Sequence, residues 1–265
     1  MIANVHRIAA GLRKHKRFAE VVDCIRQTQQ WPQLIPAYLA QSRLDYPFEF
    51  STRDQSKVLL ETWDDLTTVW HVFFANEYHV PREARTIVDL GANIGAFAIW
   101  AADRCPSSRI LSFEPFPATF ERLRDNVGAN GLESRVDCVR MAVGGHDGVS
   151  RFESAPDKRS YCRKLVADSS IGETIDVECM TLASLFERFG LKEIDCLKMD
   201  VEGAEYEIIL SASPKTLRRA KVITLEYHDA ERSSVLWEKL SESGFRRVLY
   251  APGGWSGVAA YERVG

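Results

Sequence analysis

An α/β architecture with a mostly parallel sheet flanked by helices is predicted by three stretches of this 265-residue chain. Thr86-Ile-Val-Asp-Leu-Gly-Ala-Asn-Ile-Gly95 reads as a buried strand that runs into a glycine loop and then a helix. Ile194-Asp-Cys-Leu-Lys-Met-Asp-Val-Glu-Gly-Ala-Glu205 and Lys221-Val-Ile-Thr-Leu-Glu-Tyr-His228 follow one rule, apolar residues first and ionisable residues last. Strands covered on both faces have such apolar runs, and in an open parallel sheet their carboxyl ends line the ligand crevice.

The leading part has a different pattern. Val5, Ile8 and Leu12, then Phe18, Val22 and Ile25, recur at helical spacing, with Arg13, Lys14, Lys16 and Arg17 reading as the solvated face of a packed helix. Residues 47–62 read as two short strands about the polar turn Arg53-Asp-Gln-Ser56, and a helix is expected over 65–78. Pro81 marks a boundary, so residues 1–80 form a helical and hairpin extension and 81–265 the main domain.

Within the main domain, Gly91 and Gly95 suit a sharp turn and close approach to a ligand, and Phe97-Ala-Ile-Trp-Ala-Ala102 continues as a helix. A second strand spans 109–114 and stops at Pro115 and Pro117, a helix spans 118–130, and a third strand spans 135–141. Ala142-Val-Gly-Gly145 reads as a loop. Residues 149–179 read as an insertion, with added antiparallel strands at 149–152 and 174–179. A helix capped by Thr181 follows over 181–189 and leads into the fourth strand. Near the end, Tyr250-Ala-Pro-Gly-Gly-Trp-Ser-Gly257 reads first as a turn between the last two strands, with pocket closure or a subunit contact as alternatives.

Composition narrows the function classes. A hydrophobic content of 45% suits a large core, and a net charge of −3 supplies no global attraction to nucleic acid or membrane. No apolar run approaches the roughly 20 residues that span a bilayer, and the first residues lack a signal-like core, so a cytoplasmic location is the expectation. Cys24, Cys105, Cys138, Cys162, Cys179 and Cys196 are scattered without a Cys-x-x-Cys pair and read as reduced, structural thiols.

The ligand pattern is that of a nucleoside cofactor. Asp89, Gly91, Asn93 and Gly95 form Asp-x-Gly-x-x-x-Gly, which favours S-adenosylmethionine over the Gly-x-Gly-x-x-Gly of dinucleotide sites. Glu114 lies roughly 20 residues beyond this loop, where an acid accepts hydrogen bonds from ribose hydroxyls. Pro115 ends its strand, Phe116 lies against adenine or packs in the core, and the backbone at Ala142 and Val143 meets the adenine edge. Lys198, Asp200 and Glu202 share a face if the fourth strand extends that far, and Glu205 caps the next helix or joins the site. Glu226 and His228 are two apart and share a side. His228 is a candidate proton acceptor, and Asp200, Glu226 and His228 are a second-ranked candidate set for a divalent cation.

The chain resembles the FkbM family of S-adenosylmethionine-dependent methyltransferases. The resemblance rests on Val88-Asp-Leu-Gly-Ala-Asn-Ile-Gly95, Phe113-Glu-Pro115, Asn126 with Asn130, Ala142-Val-Gly144, Leu197-Lys-Met-Asp-Val-Glu-Gly-Ala-Glu205 and Glu226-Tyr-His228. It implies a Rossmann-like class I methyltransferase fold with seven strands. It also implies O-methylation of small-molecule hydroxyls on sugars, glycans or polyketide-type natural products. An alcohol needs help to lose its proton during an in-line displacement. His228 is therefore expected to act as base, oriented by Glu226, with Asp200 near the methyl group or acceptor hydroxyl and Lys198 supporting Asp200. The alternatives are a nucleic-acid or other N-methyltransferase, although the fourth strand ends in Asp200-Val-Glu-Gly203 without an Asp/Asn-Pro-Pro signature, and a cofactor-binding scaffold without catalysis. A homo-oligomer is left open.

Overall fold

A computed structural model describes residues 15–153, 174–253 and 255–265. It divides the chain into two compact units, Met1–Glu77 and Tyr78–Gly265. Tyr78, His79 and Val80 thus go with the second unit, and His79 is tied there by its backbone N–H, which donates to Thr224 Oγ1 at 3.3 Å.

In the first unit, α1 (His15–Gln27) and α2 (Trp31–Tyr38) precede a hairpin of β1 (Phe48–Ser51) and β2 (Lys57–Leu60), paired antiparallel with Phe48 opposite Leu60. The next helix, α3 (Trp63–Val69), starts earlier than expected because Thr62 and Asp65 form a reciprocal capping box. It runs on as a π-helical turn, Trp70–Phe74, and stops short of Tyr78. Trp70 stacks on Tyr38 with ring centroids 4.0 Å apart, and its indole Nε1 donates to Glu20 Oε2 at 2.9 Å. The expected apolar stripe of α1 is corrected: Phe18 is 57% and Ile25 40% exposed, while Glu20 and Cys24 face inward. Cys24 supplies apolar volume there, and Glu20 is needed as the acceptor for the buried indole. Val5, Ile8, Leu12, Arg13 and Lys14 lie outside the described residues.

The second unit is built on β3 (Thr86–Leu90), α4 (Ala96–Arg104), β4 (Arg109–Phe113), α5 (Pro117–Ala129) and β5 (Val136–Val139). After β6 (Ala142–Gly144), β7 (Gly148–Glu153) and β8 (Thr174–Thr181) come α6 (Leu182–Arg188) and β9 (Ile194–Met199). The chain ends with α7 (Glu205–Ser211), α8 (Pro214–Leu217), β10 (Ala220–His228), α9 (Ser233–Glu242), β11 (Phe245–Pro252) and β12 (Ser256–Arg263). The main sheet has the order β11-β12-β10-β9-β3-β4-β5. Its five strands from β10 to β5 pair in parallel, and β12 runs antiparallel to both β10 and β11. This is the Rossmann-like class I methyltransferase fold, with seven strands in a mostly parallel sheet.

Two local expectations change. The third strand is shorter than read, ending at Val139, and Ala142–Gly144 is a strand rather than a loop, because it pairs in parallel with Cys179–Thr181 of β8. β7 pairs antiparallel with β8, as the alternating pattern predicts, and the segment between them, 154–173, lies outside the described residues. The core lies against the sheet faces, with Val88, Leu90, Leu111, Phe113, Leu197, Ile223 and Leu225 all buried. At the amino ends of β3 and β9, the Asp195 carboxylate accepts the backbone N–H groups of Arg85 and Thr86 at 2.8 and 2.9 Å. Cys24, Cys105, Cys138, Cys179 and Cys196 are free thiols, and Cys162 lies outside the described residues.

Candidate active site

The carboxyl ends of β3, β4, β9 and β10 carry the ionisable residues of the site. Gly91 leaves β3 with φ +74°, and a Cβ there would sit 1.8 Å from the Asp200 carbonyl oxygen. At Gly95, φ +88°, a Cβ would meet Leu123 Cδ1 at 2.8 Å. Gly91 is therefore required by the backbone just past β9, and Gly95 by its left-handed φ, rather than only by approach to a ligand. The loop is further held by Asn126, whose Nδ2 donates to the Ile94 carbonyl at 2.8 Å.

Glu114 is 5% exposed and immobilised. One carboxylate oxygen accepts the Asn93 N–H at 3.0 Å and the other accepts the Phe116 N–H at 3.1 Å. Gly91, Asn93, Glu114, Pro115 and Phe116 line one cavity. Ala142, Val143 and Asp200 close its other side together with Glu202. Phe116 is largely buried and meets Phe152 edge-on at 5.4 Å, so β7 brings to this cavity an aromatic residue that sequence reading did not single out. Asn93 Oδ1 is buried in the loop with no hydrogen-bond partner. A buried acid fixed by two backbone N–H groups, a glycine turn, an orphaned polar atom and an aromatic wall make a cavity whose lining fits an adenosyl group.

Asp89 and Gly95 lie behind that lining. Asp89 is fully buried at the centre of β3, and its Oδ1 is 3.0 Å from Lys198 Nζ. Lys198, 3% exposed, also donates to the Gly91 carbonyl at 2.9 Å and lies 3.8 Å from Asp200. Its main partner is therefore Asp89, with Asp200 secondary. Burial alone would lower the Lys198 pKa, but Asp89 and then Asp200 outweigh it and hold the ammonium charged. Asp200 also accepts a hydrogen bond from the Tyr78 hydroxyl at 3.0 Å. No local signal marks Tyr78, since it is 122 residues away in sequence.

The strand β9 stops at Met199, and Glu202 and Gly203 turn the chain with φ +52° and +99°. Strict strand alternation to Glu202 is thus broken, yet the turn still directs Glu202 toward His228, with 3.4 Å between Oε2 and Nε2. Glu226 Oε1 lies 3.8 Å from the same nitrogen, consistent with Glu226 and His228 sharing a side of β10. Glu205 serves both readings made for it. It begins α7 and accepts the Gly203 N–H at 2.7 Å, and its other oxygen accepts the His228 backbone N–H at 2.7 Å and lies 3.3 Å from Nδ1. The carboxylate nearest His228 is Glu205 rather than Glu226.

Burial disfavours charge on His228, but Glu205, Glu202 and Glu226 overcome it and push the imidazole pKa up to about 9. Burial, reinforced by Asp200, pushes Glu202 up to about 8. At neutral pH His228 is therefore an imidazolium, which cannot accept a proton until it has lost one. Asp200, Glu226 and His228 each place a ligand atom within 4.8 Å of the other two.

A second cavity adjoins the first. His228, Tyr206, Arg232 and Trp255 line it, and Glu202, Val201, Ala204, Val143 and Phe152 belong to both. The arrangement offers one compartment for a methyl donor and another for an acceptor, with Glu202 at the junction. Trp255, placed by the turn after β11, is 5.7 Å from the His228 ring. Among the described residues no helix is long and apolar enough to cross a membrane.

Several methyltransferases are similar to the chain in sequence. The chain is 30% identical to methyltransferase sdnD of Sordaria araneosa over 46% of its own length and 58% of the relative's. It is 26% identical to the 31-O-demethyl-FK506 methyltransferase FkbM of Streptomyces tacrolimicus, covering 57% of this chain and 68% of that one. It is 25% identical to the hexuronic acid methyltransferase AglP of Haloferax volcanii, covering 61% and 64%. The match thus spans less than two thirds of the length of sdnD and of AglP. The methyltransferase FkbM domain family matches residues 89–247, from the buried aspartate of β3 through both acidic strand ends, and the chain belongs to that family.

Proposed function

We propose that this methyltransferase takes its methyl group from S-adenosylmethionine and delivers it to a hydroxyl of a small molecule, a sugar, glycan or polyketide-type product. The observation that carries the reading is Glu202 at the junction of two cavities, one presenting Glu114 and the other His228. The names of two relatives, one acting on a hexuronic acid and one on 31-O-demethyl-FK506, support oxygen acceptors of this class.

When bound, the sulfonium supplies an electrophilic methyl group, so that the S–CH3 bond breaks as the O–CH3 bond forms. Glu114 holds the ribose end through a carboxylate already fixed by two backbone N–H groups. Asp200, positioned by Tyr78 and Lys198, lines the donor cavity two residues before Glu202 and orients the acceptor hydroxyl. The hydroxyl proton passes to Glu202 in its ionised form, the minority form at neutral pH because burial pushes its pKa up to about 8, so this step is favoured as the pH rises toward that value. Glu202 is proposed as base in place of the expected His228 because the carboxylates around His228 hold its pKa higher still, at about 9. Holding both reactants in line accounts for most of the rate gain.

The test is methyl transfer to a panel of sugars, uronic acids and macrolide alcohols, read by mass spectrometry. Wild-type protein should methylate an oxygen of at least one panel member, and Glu202→Gln should lower kcat by about 100-fold, within the usual range for a general base. Methylation only at nitrogen, or a Glu202→Gln rate equal to wild type, would contradict the assignment.

A further inference from the structure

We propose that Asp200, Glu226 and His228 bind a divalent cation of the magnesium or manganese kind, which in turn holds the acceptor hydroxyl; this consequence for catalysis rests on the methyl-transfer reading above. The three side chains come from the ends of two adjacent parallel strands, β9 and β10. They offer two carboxylates and one imidazole, with ligand atoms within 4.8 Å of one another, a spacing that one cation can bridge. Oxygen and nitrogen donors of this kind suit manganese and, with water completing the shell, magnesium.

His228 supplies the second observation. Its side chain is 8% exposed. Nδ1 faces the fully buried Glu205 at 3.3 Å, while Nε2 points toward Glu226 and Glu202. Histidines that bind metals through one ring nitrogen commonly turn the other toward a carboxylate, which fixes the ring and its tautomer. Glu205 occupies that outer position and is itself anchored by the backbone N–H groups of Gly203 and His228. The nearby ammonium of Lys198 does not fill the site, because it is closer to Asp89, at 3.0 Å, than to Asp200, at 3.8 Å.

Cation binding through Nε2 releases the imidazolium proton to solvent and leaves neutral His228 as ligand. A bound cation lowers the pKa of a coordinated hydroxyl and fixes its oxygen. Of the three ligands, His228 lines the acceptor cavity and Asp200 the donor cavity, with Glu202 common to both.

The experiment titrates the metal-free full chain with Mn2+ and follows loss of the free-ion signal by electron paramagnetic resonance. S-adenosylhomocysteine binding is measured on the same samples by calorimetry. One saturable Mn2+ per chain is expected, competed by Mg2+, with at least tenfold weaker binding in Glu226→Gln and in His228→Ala. Glu178→Gln, an exposed site outside the cluster, should bind Mn2+ as wild type does. Circular dichroism shows whether each variant is folded, and Glu226→Gln keeps the shape of the side chain. No saturable Mn2+ uptake by folded wild-type protein, or uptake undiminished by both cluster variants, overturns the site. Mn2+ uptake without S-adenosylhomocysteine binding sinks the cofactor reading instead and leaves the cation site standing.

Discussion

Lys198 and Asp89 form a buried pair between the two central strands. Their side chains are 3% and 0% exposed and 3.0 Å apart, and burial pushes the Asp89 pKa up against the pull of Lys198, so the carboxylate depends on that ammonium to stay ionised. Removing one partner of a buried pair leaves an uncompensated charge and costs about 3–5 kcal/mol. Lys198→Met should lower the unfolding free energy by that amount in urea titration; a loss below about 1 kcal/mol would contradict the pairing. Sequence alternation places Lys198 beside Asp200, whereas its closer partner is on the neighbouring strand. That preference is a matter of parallel register, since Asp89 is directly opposite Lys198 between β3 and β9. Register of this kind cannot be read from one strand. Glu114, Asp200 and His228 were legible because apolar runs end on them. Tyr78 and Phe152 were not, because each reaches the site from an element with no motif of its own.

A different limit appears for the elements. The strands β3, β4, β9 and β10 are legible because burial on both faces demands continuous apolar runs. The π-helical turn Trp70–Phe74 is not, since an apolar period of this length reads as ordinary helix. Phe18 and Ile25 show that spacing alone identifies a stripe without saying which way it faces. Thr62→Ala should test the early start of α3: it removes the side-chain acceptor for Asp65 N–H at 3.2 Å and should cost about 1 kcal/mol. A stability change near zero in chemical denaturation would show that the cap is not holding the helix. At the end of the sheet opposite the site, Asp195 joins β3 to β9 through two backbone N–H groups. Burial works to raise its pKa, but Lys221 and the two amides prevail and hold it below the usual carboxylate value of 3.8. Because the folded state binds fewer protons, this stabilisation is present above pH 3.8 and is lost as the pH falls through the depressed value. Asp195→Asn should therefore destabilise the protein at pH 7, and the difference from wild type should shrink toward pH 3; a pH-independent difference would contradict the charge argument.

For the whole molecule, the order of the seven strands accounts for the site. β3 and β9 are neighbours at the centre, and β4 and β10 flank them, so Gly91, Glu114, Asp200 and His228 emerge at one end of the sheet although the sequence separates them widely. The fold class was legible from the strand-loop-helix unit and the two acidic strand ends, while the small β6-β8-β7 sheet that supplies Val143 and Phe152 was legible only in part. Ala142–Gly144 lacks the length to announce itself as a strand and depends on β8 for pairing. The central claim is that the cavity beside Glu114 binds an adenosyl ligand. The most direct measurement is calorimetric titration of wild type, Glu114→Gln and Glu114→Ala with S-adenosylmethionine, S-adenosylhomocysteine and NAD. Saturable binding of both adenosyl ligands, weakened about 10- to 100-fold by loss of charge-assisted hydrogen bonds worth about 1.5–3 kcal/mol and absent for NAD, is the predicted result. NAD binding alone, or adenosyl binding indifferent to both Glu114 variants, would contradict it.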